Sequence, residues 1–550
     1  MQLVERRIGL LFALFLLALG IAAAKAAWLG VVRAPALQRA AATQQEADIT
    51  IPARRGSITD INGVDLAVSE PAADIAATPY LIDDATKVAE QLSPLLGIPE
   101  HELLRKLASR TTFTYLARGV PASKADKAEK LKIEGIEFIP RYKRDYPRDW
   151  SASQLLGSTG TDEQGLGGLE YMLDDRLRGT DGRRRLVKDA MGNPIELRDT
   201  KKVEPGQNVR LTLDANIQDR AEEVLNEVGR VWQPKGATAI VMEPNKGEIL
   251  ALANWPRVNA NELENAPDYA RQNRAIGAVY EPGSTFKAMT VAAALEDGKV
   301  EPDTKFDLPP SLQIADRVLE DAHEHGYITR TATQIIEESS NIGTYLIARR
   351  VGTKRFDSWI HRWGFGQPTG IDLPGEERGI VTPLKDYNGF TMGNLPIGQG
   401  IAVTPMQMAA AYAAIANGGV LRPPRVVDAV NGRKLKRPAG KRVISEATAA
   451  TVRKMLEGVL GPGGTASGAE IEGYKLAGKT GTSEKAIDGK YSEDKYVASF
   501  VGFAPADKPK LLVAVMVDEP KGEIYGGQVA APAWREIVNF SLSYLKISPG

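Results

Sequence analysis

The sequence predicts an α+β protein, built on an antiparallel sheet with helices on its faces and a helical stretch between its two hairpins. Three observations carry the prediction. An uncharged apolar run opens the chain at Ile8 to Ala24. Two strand–turn–strand patterns lie far apart, at 237–254 and 497–517, each with helical periodicity beside it. The sequence between them reads as all-helical, with capping residues at its boundaries.

The apolar run follows Glu5-Arg6-Arg7; Lys25 interrupts it and Trp28 lies beyond. Its length is near that of a membrane span, with Lys25 able to snorkel and Trp28 to sit at the interface. Ala22-Ala23-Ala24 offers small residues for signal cleavage, but the run exceeds a usual signal core, which favours an uncleaved anchor. Arg6 and Arg7 put the N-terminus in the cytoplasm and everything after about Leu29 outside the cytoplasmic membrane. The expected organisation is therefore a tail over 1–7, an anchor over 8–29, a first region over 30–204 and a second over 205–550.

Residues 30–50 are rich in Ala, Gln and Arg and read as a helical stalk. Asn62-Gly63, between short strand-like runs, signals a hairpin. Residues 84–135 read as small helices and strands, and glycine is dense from Gly157 to Gly182. A charged stretch from Glu196 to Glu204 closes the first region. In the second, Val209 to Leu213 alternates like a strand, and Ile217, Ala221, Val224, Leu225 and Val228 make one helix face. Strands are expected over 237–243 and 248–254, around the turn Pro244 to Gly247. Thr404-Pro-Met-Gln407 reads as a capping box with proline at the first helical position. Strands over 497–504 and 510–517 and a helix over 530–545 end the pattern.

Composition excludes several functions. The 69 basic and 69 acidic residues cancel, so no basic excess points to nucleic acid. There is no cysteine, hence no disulfide, thiol chemistry or thiolate metal site. Of four histidines, His323 and His325 lack the i, i+4 zinc spacing and read as two solvated loop residues.

The chemistry starts from Ser284-Thr-Phe-Lys287, behind the breaker Pro282-Gly283 and ahead of an alanine-rich run. A turn opening into a helix puts residues i and i+3 on one face, so the Ser284 hydroxyl and Lys287 amine can meet. A serine beside a base is the minimal apparatus for covalent catalysis. Taken alone the pair carries little weight. Ser339-Ser340-Asn341 alone would be a helix cap, and Lys479-Thr-Gly-Thr482 alone a strand end with a surface lysine and a polar loop after it.

Together and in this order, the three motifs resemble those of the penicillin-binding transpeptidases, whose set is Ser-x-x-Lys, Ser-x-Asn and Lys-Thr-Gly. The resemblance implies a five-stranded antiparallel sheet flanked by helices, an all-helical subdomain, and an elongated α+β pedestal over 30–204. It implies that Ser284 is the nucleophile, Lys287 its base, and Ser339 a proton relay to the leaving group. Asn341 would bond the substrate backbone and Lys479 supply positive potential. Thr480, Gly481 and Thr482 would bind a terminal carboxylate, and the N–H groups of Ser284 and Thr482 would form the oxyanion hole. For Lys287 to act near neutral pH its pKa must fall from about 10.4, and burial and Lys479 both lower it.

Gln272-Asn-Arg-Ala275, Gly370-Ile-Asp-Leu-Pro-Gly-Glu376, Gly398-Gln-Gly400 and Tyr525-Gly-Gly527 look like the class B, monofunctional type. Arg55-Gly-Ser-Ile58, Arg144-Asp-Tyr-Pro147 and Gly168-Leu-Glu170 are similar to its pedestal. Ile61 departs from a usual arginine, and Gly167 from a usual Glu-Gly stretch. No glycosyltransferase module is expected, and no repeat extension after the transpeptidase region. The resemblance implies D-Ala-D-Ala stem peptides as substrate, β-lactams as covalent inhibitors, no metal and no organic cofactor. The Tyr280-Glu-Pro-Gly283 stretch and the length look like the division-specific subtype. That subtype partners a polytopic lipid II glycosyltransferase and other division proteins. An elongation-type enzyme stays open, as do a β-lactamase or β-lactam sensor and a non-catalytic scaffold. The pedestal argues against the lactamase and sensor, and the intact motifs against the scaffold.

Overall fold

A computed structural model describes residues 2–33, 46–188, 194–487 and 490–549. Helix α1 (Gln2–Val31) is a single apolar rod. Its span Arg6–Val31 has mean hydropathy 2.3 and none of it is buried. At about 1.5 Å per residue it exceeds the roughly 30 Å hydrocarbon core of a bilayer. It fits a single-pass membrane anchor. The expected stalk over 30–50 is helical only to Val31; residues 34–45 lie outside the described residues, and Glu46–Ile51 is a strand. Its Asp48, Thr50 alternation pairs antiparallel with Gly182–Lys188, which local helix propensity cannot anticipate.

The described chain forms two compact units, and they are not consecutive runs. One comprises residues 1–54, 71–142 and 179–206. In it, helices Ala85–Leu96 and Glu100–Leu107 bury Leu92, Leu103 and Leu107 with Ile75 and Leu116. Asp84 caps the first of these helices, and Gly97 ends it in the left-handed conformation.

The other unit holds 55–70, 143–178 and 207–550. Here the Asn62-Gly63 turn forms as expected. Asp60 accepts from the N–H groups of Asn62 and Val64, both at 2.8 Å, and Gly63 takes φ +88. Asp60 also accepts from the Ala215 N–H at 3.0 Å, at the start of α2 (Ala215–Trp232). Nearby, Glu170 is wholly buried between two guanidiniums, each at 2.7 Å, from Arg55 and Arg144.

The main sheet has five strands: β1 (Gly236–Glu243), β2 (Glu248–Trp255), β3 (Ala477–Ile487), β4 (Lys490–Ala504) and β5 (Leu511–Asp518). Their order is β2-β1-β5-β4-β3, all neighbours antiparallel, as the resemblance implied. Every residue of β5 is buried, so helices cover both faces of the centre. Between the two hairpins run α3 (Lys287–Glu296), α4 (Asn341–Val351), α5 (Pro405–Ala416) and α6 (Glu446–Glu457), but the stretch is not all-helical as expected: Lys305–Leu308 pairs with Ile328–Thr331 and Ser311–Ile314 with Arg317–Glu320. All twelve residues of α5 are buried, and its Thr404–Gln407 capping box is present. The final helix α7 (Gly526–Tyr544) packs Trp534 on Phe500 of β4, ring centroids 4.9 Å apart. β3 lies at the sheet edge and runs to Ile487, where the sequence suggested a polar loop after Thr482. Pairing with β4 carries the polar residues along as strand.

Candidate active site

Ser284 sits in a 3₁₀ turn, Gly283–Phe286, which runs directly into α3 at Lys287. Several bonds fix this turn. Gly283 N–H donates to the Gly398 carbonyl at 3.0 Å, and Tyr412 of α5 donates its hydroxyl to the Thr285 carbonyl at 2.7 Å. Ser483 of β3 donates to the Glu281 carbonyl at 2.6 Å. Gly283 takes φ +54, the left-handed region that glycine tolerates. A Cβ there would come 3.0 Å from the Thr482 carbonyl oxygen, so the edge of β3 lies directly against the turn.

Ser284 is half-buried, and Lys287 is fully buried. The Lys287 Nζ donates to Asn341 Oδ1 and to the Ser339 carbonyl, both at 2.6 Å, and lies 3.2 Å from Ser339 Oγ. Ser339 has φ +62 and ends the turn before α4. Ser340 caps α4 by accepting from the Gly343 N–H at 2.9 Å. The capping role and the two inward-facing neighbours thus coexist in three residues. Among the described residues Lys287 bonds to the Ser339–Asn341 segment, while Ser284 makes no side-chain hydrogen bond of its own.

Lys479 is fully buried on β3, 3.5 Å from Thr480 Oγ1. Thr480 Oγ1 is 2.7 Å from Thr465 Oγ1, and Thr482 Oγ1 accepts from the Gly526 N–H at 3.0 Å. Burial pushes the Lys287 ammonium down to about 7, against the opposing pull of Asp321. Burial first, and the Lys287 charge second, hold Lys479 well below the usual lysine range. An amine with two N–H bonds satisfied by carbonyl oxygens keeps a lone pair to accept a proton. Lys287 has those two acceptors. Among the described residues no group of His, Asp and Glu side chains has a metal-site arrangement.

Asp321 carries no signal in the sequence, and His325 differs from its expected setting. Asp321 accepts from the Asn341 N–H at the head of α4. His325, expected in solvent, is instead largely covered and bonded to Asp321, because the loop folds back on α4. Neither lies in a periodic pattern, so only the fold reveals them.

A serine at a helix start, a buried lysine one turn on and a Lys-Thr-Gly edge strand define the class of penicillin-recognising serine enzymes. The chain belongs to the penicillin-binding protein family: the penicillin binding protein transpeptidase domain matches residues 237–539, and the penicillin-binding protein dimerisation domain matches 50–211. Stage V sporulation protein D of Bacillus subtilis is 36% identical over 90% of this chain and 79% of its own. Peptidoglycan D,D-transpeptidase FtsI of Escherichia coli is 33% identical over 99% of this chain and 92% of its own. The crystal structure of penicillin binding protein 3 from Mycobacterium tuberculosis complexed with aztreonam superposes with TM-score 0.72. It is 31% identical and covers 91% of this chain and 98% of that one.

Proposed function

We propose that Ser284 carries the acyl group in peptidoglycan D,D-transpeptidation. The observation that carries this reading is the Lys287 amine, buried one turn after Ser284 and held by Ser339 and Asn341. The chain is a penicillin-binding transpeptidase acting on peptidoglycan. Lys287, neutral above about pH 7, takes the Ser284 proton as Oγ attacks the carbonyl of the penultimate D-Ala. The N–H groups of Ser284 and Thr482 stabilise the oxyanion; losing one such donor typically costs about 3 kcal/mol. Terminal D-Ala departs with a proton relayed by Ser339. The amine of a second stem peptide then attacks the ester, releases Ser284 and forms the cross-link.

Asn341 bonds the substrate backbone, and Thr480, Gly481 and Thr482 hold its terminal carboxylate. A carboxylate beside Lys479 favours the ammonium, so substrate arrival offsets the burial that lowers this lysine. A β-lactam presents the same acyl group and carboxylate, and is captured on Ser284. Residues 30–204 serve as pedestal and 205–550 as transpeptidase domain, except that 55–70 and 143–178 of the first stretch pack into the unit of the second. Arg6 and Arg7 keep the N-terminus in the cytoplasm and place the catalytic region outside. The likeness to FtsI supports a septal role beside a polytopic lipid II glycosyltransferase and other division proteins. Depletion in the host then gives filaments, whereas rounding would mark an elongation enzyme.

Labelling with a fluorescent penicillin tests the chemistry. Wild type gives a stable covalent band on a denaturing gel, and Ser284→Ala and Lys287→Ala give none. Rapid drug turnover would instead mark a lactamase.

A further inference from the structure

The acyl-transfer chemistry leaves His325 and Asp321 without a task. Nε2 of His325 is 3.0 Å from Asp321 Oδ2, and Nδ1 is 2.7 Å from the Gly326 carbonyl oxygen. Carbonyl and ionised carboxylate oxygens accept and do not donate. A neutral imidazole has one N–H and one lone pair, so it would turn a lone pair on one of these oxygens. The imidazolium donates to both. Asp321 is in turn saturated. Its Oδ1 accepts from the Asn341 N–H and, at 3.0 Å, from the Ile342 N–H. Its Oδ2 accepts from Ser340 Oγ at 2.7 Å. These are the first free N–H groups of α4, which need an outside acceptor. Asn341, which carries the first of them, accepts from Lys287 Nζ through its side chain.

We propose that Asp321 and protonated His325 are a positioning pair, which fixes the head of α4 and through it the Ser339 and Asn341 contacts on Lys287. The pair rests on the reading of Lys287 as the base. Besides Asp321, the charged group facing His325 is Arg330, which opposes protonation but is itself paired with Glu338 at 2.7 Å. His323 and Glu324 next to it are exposed. The carbonyl of Gly326 first, and Asp321 next, hold the imidazole above its ordinary pKa, with modest burial opposing. Asp321 also faces Lys287, and would pull its proton on more strongly if the imidazolium were lost.

The full-length protein is labelled with fluorescent penicillin, and the second-order acylation rate is read across about pH 5.5 to 9.5. Wild type falls on the alkaline side as His325 loses its proton. His325→Gln donates to Asp321 without titrating, so it keeps the acid limb and loses the alkaline one. Asp321→Asn lowers the rate at every pH, by up to about 100-fold for a misplaced reacting group. A purely structural histidine would scale the whole profile and leave its shape alone. A His325→Gln profile of wild-type shape overturns the pair while leaving the Ser284 reading standing. Wild type that takes no label overturns both.

Discussion

Lys287 is the residue on which the chemistry turns. A lysine in water stays charged to about pH 10.4 and cannot accept a proton at neutrality. Here burial brings it to about 7, so the amine is free above that value and blocked below it. The sign follows: acylation falls as pH drops through about 7, tenfold per unit well below it. Initial labelling rates between pH 5 and 8 read this limb, and a rate flat across the range would contradict the assignment. Spacing put Ser284 and Lys287 on one helical face, and the fold places Ser284 in the 3₁₀ turn that runs into the helix starting at Lys287, whose amine bonds to Ser339 and Asn341. Ser339 and Asn341 were placed by resemblance, since 52 and 54 residues separate them from Lys287. His325 was misread, because exposure of a loop residue depends on where the loop folds back.

At the scale of elements, the site is a contact between the Ser284 turn and the edge of β3. Gly481 sits at that contact. A Cβ there would come 2.5 Å from Ser499 Oγ and 2.9 Å from the Pro282 carbonyl oxygen. The serine hydroxyl can rotate away, but the backbone oxygen cannot move without shifting the turn. Gly481→Ala should therefore separate strand and turn and slow acylation at least about tenfold, with the fold retained. Circular dichroism and labelling together check this; unchanged labelling would show that the contact is dispensable. The hairpins and the α5 capping box were legible because turn and cap residues act locally. The length of β3 was not: Ser483 and Glu484 are strand through Val497 and Tyr496 of β4.

At the scale of the molecule, residues 55–70 and 143–178 belong to the compact unit of the transpeptidase region. Glu170, with no exposed surface, ties them together through Arg55 and Arg144. Removing one partner of a buried ionic group leaves uncompensated charge, at about 3–5 kcal/mol. Glu170→Ala should lower stability by that amount in urea unfolding, and a loss under about 1 kcal/mol would argue against the network's role. A linear reading divides a chain by composition and marks one boundary near 205. The folded chain enters the same unit three times, at 55, 143 and 207, and no local signal records its two returns. The glycines and arginines of the pedestal motifs were visible, but their meeting was not.

Acylation of Ser284 is the step on which the proposed chemistry stands, and peptide mapping by mass spectrometry reads it. After reaction of the full-length protein with a penicillin, one drug-mass adduct is expected, on the peptide containing Ser284, absent when Ser284 is alanine. An adduct on any other residue, or an unmodified Ser284 peptide from fully folded protein, would contradict it.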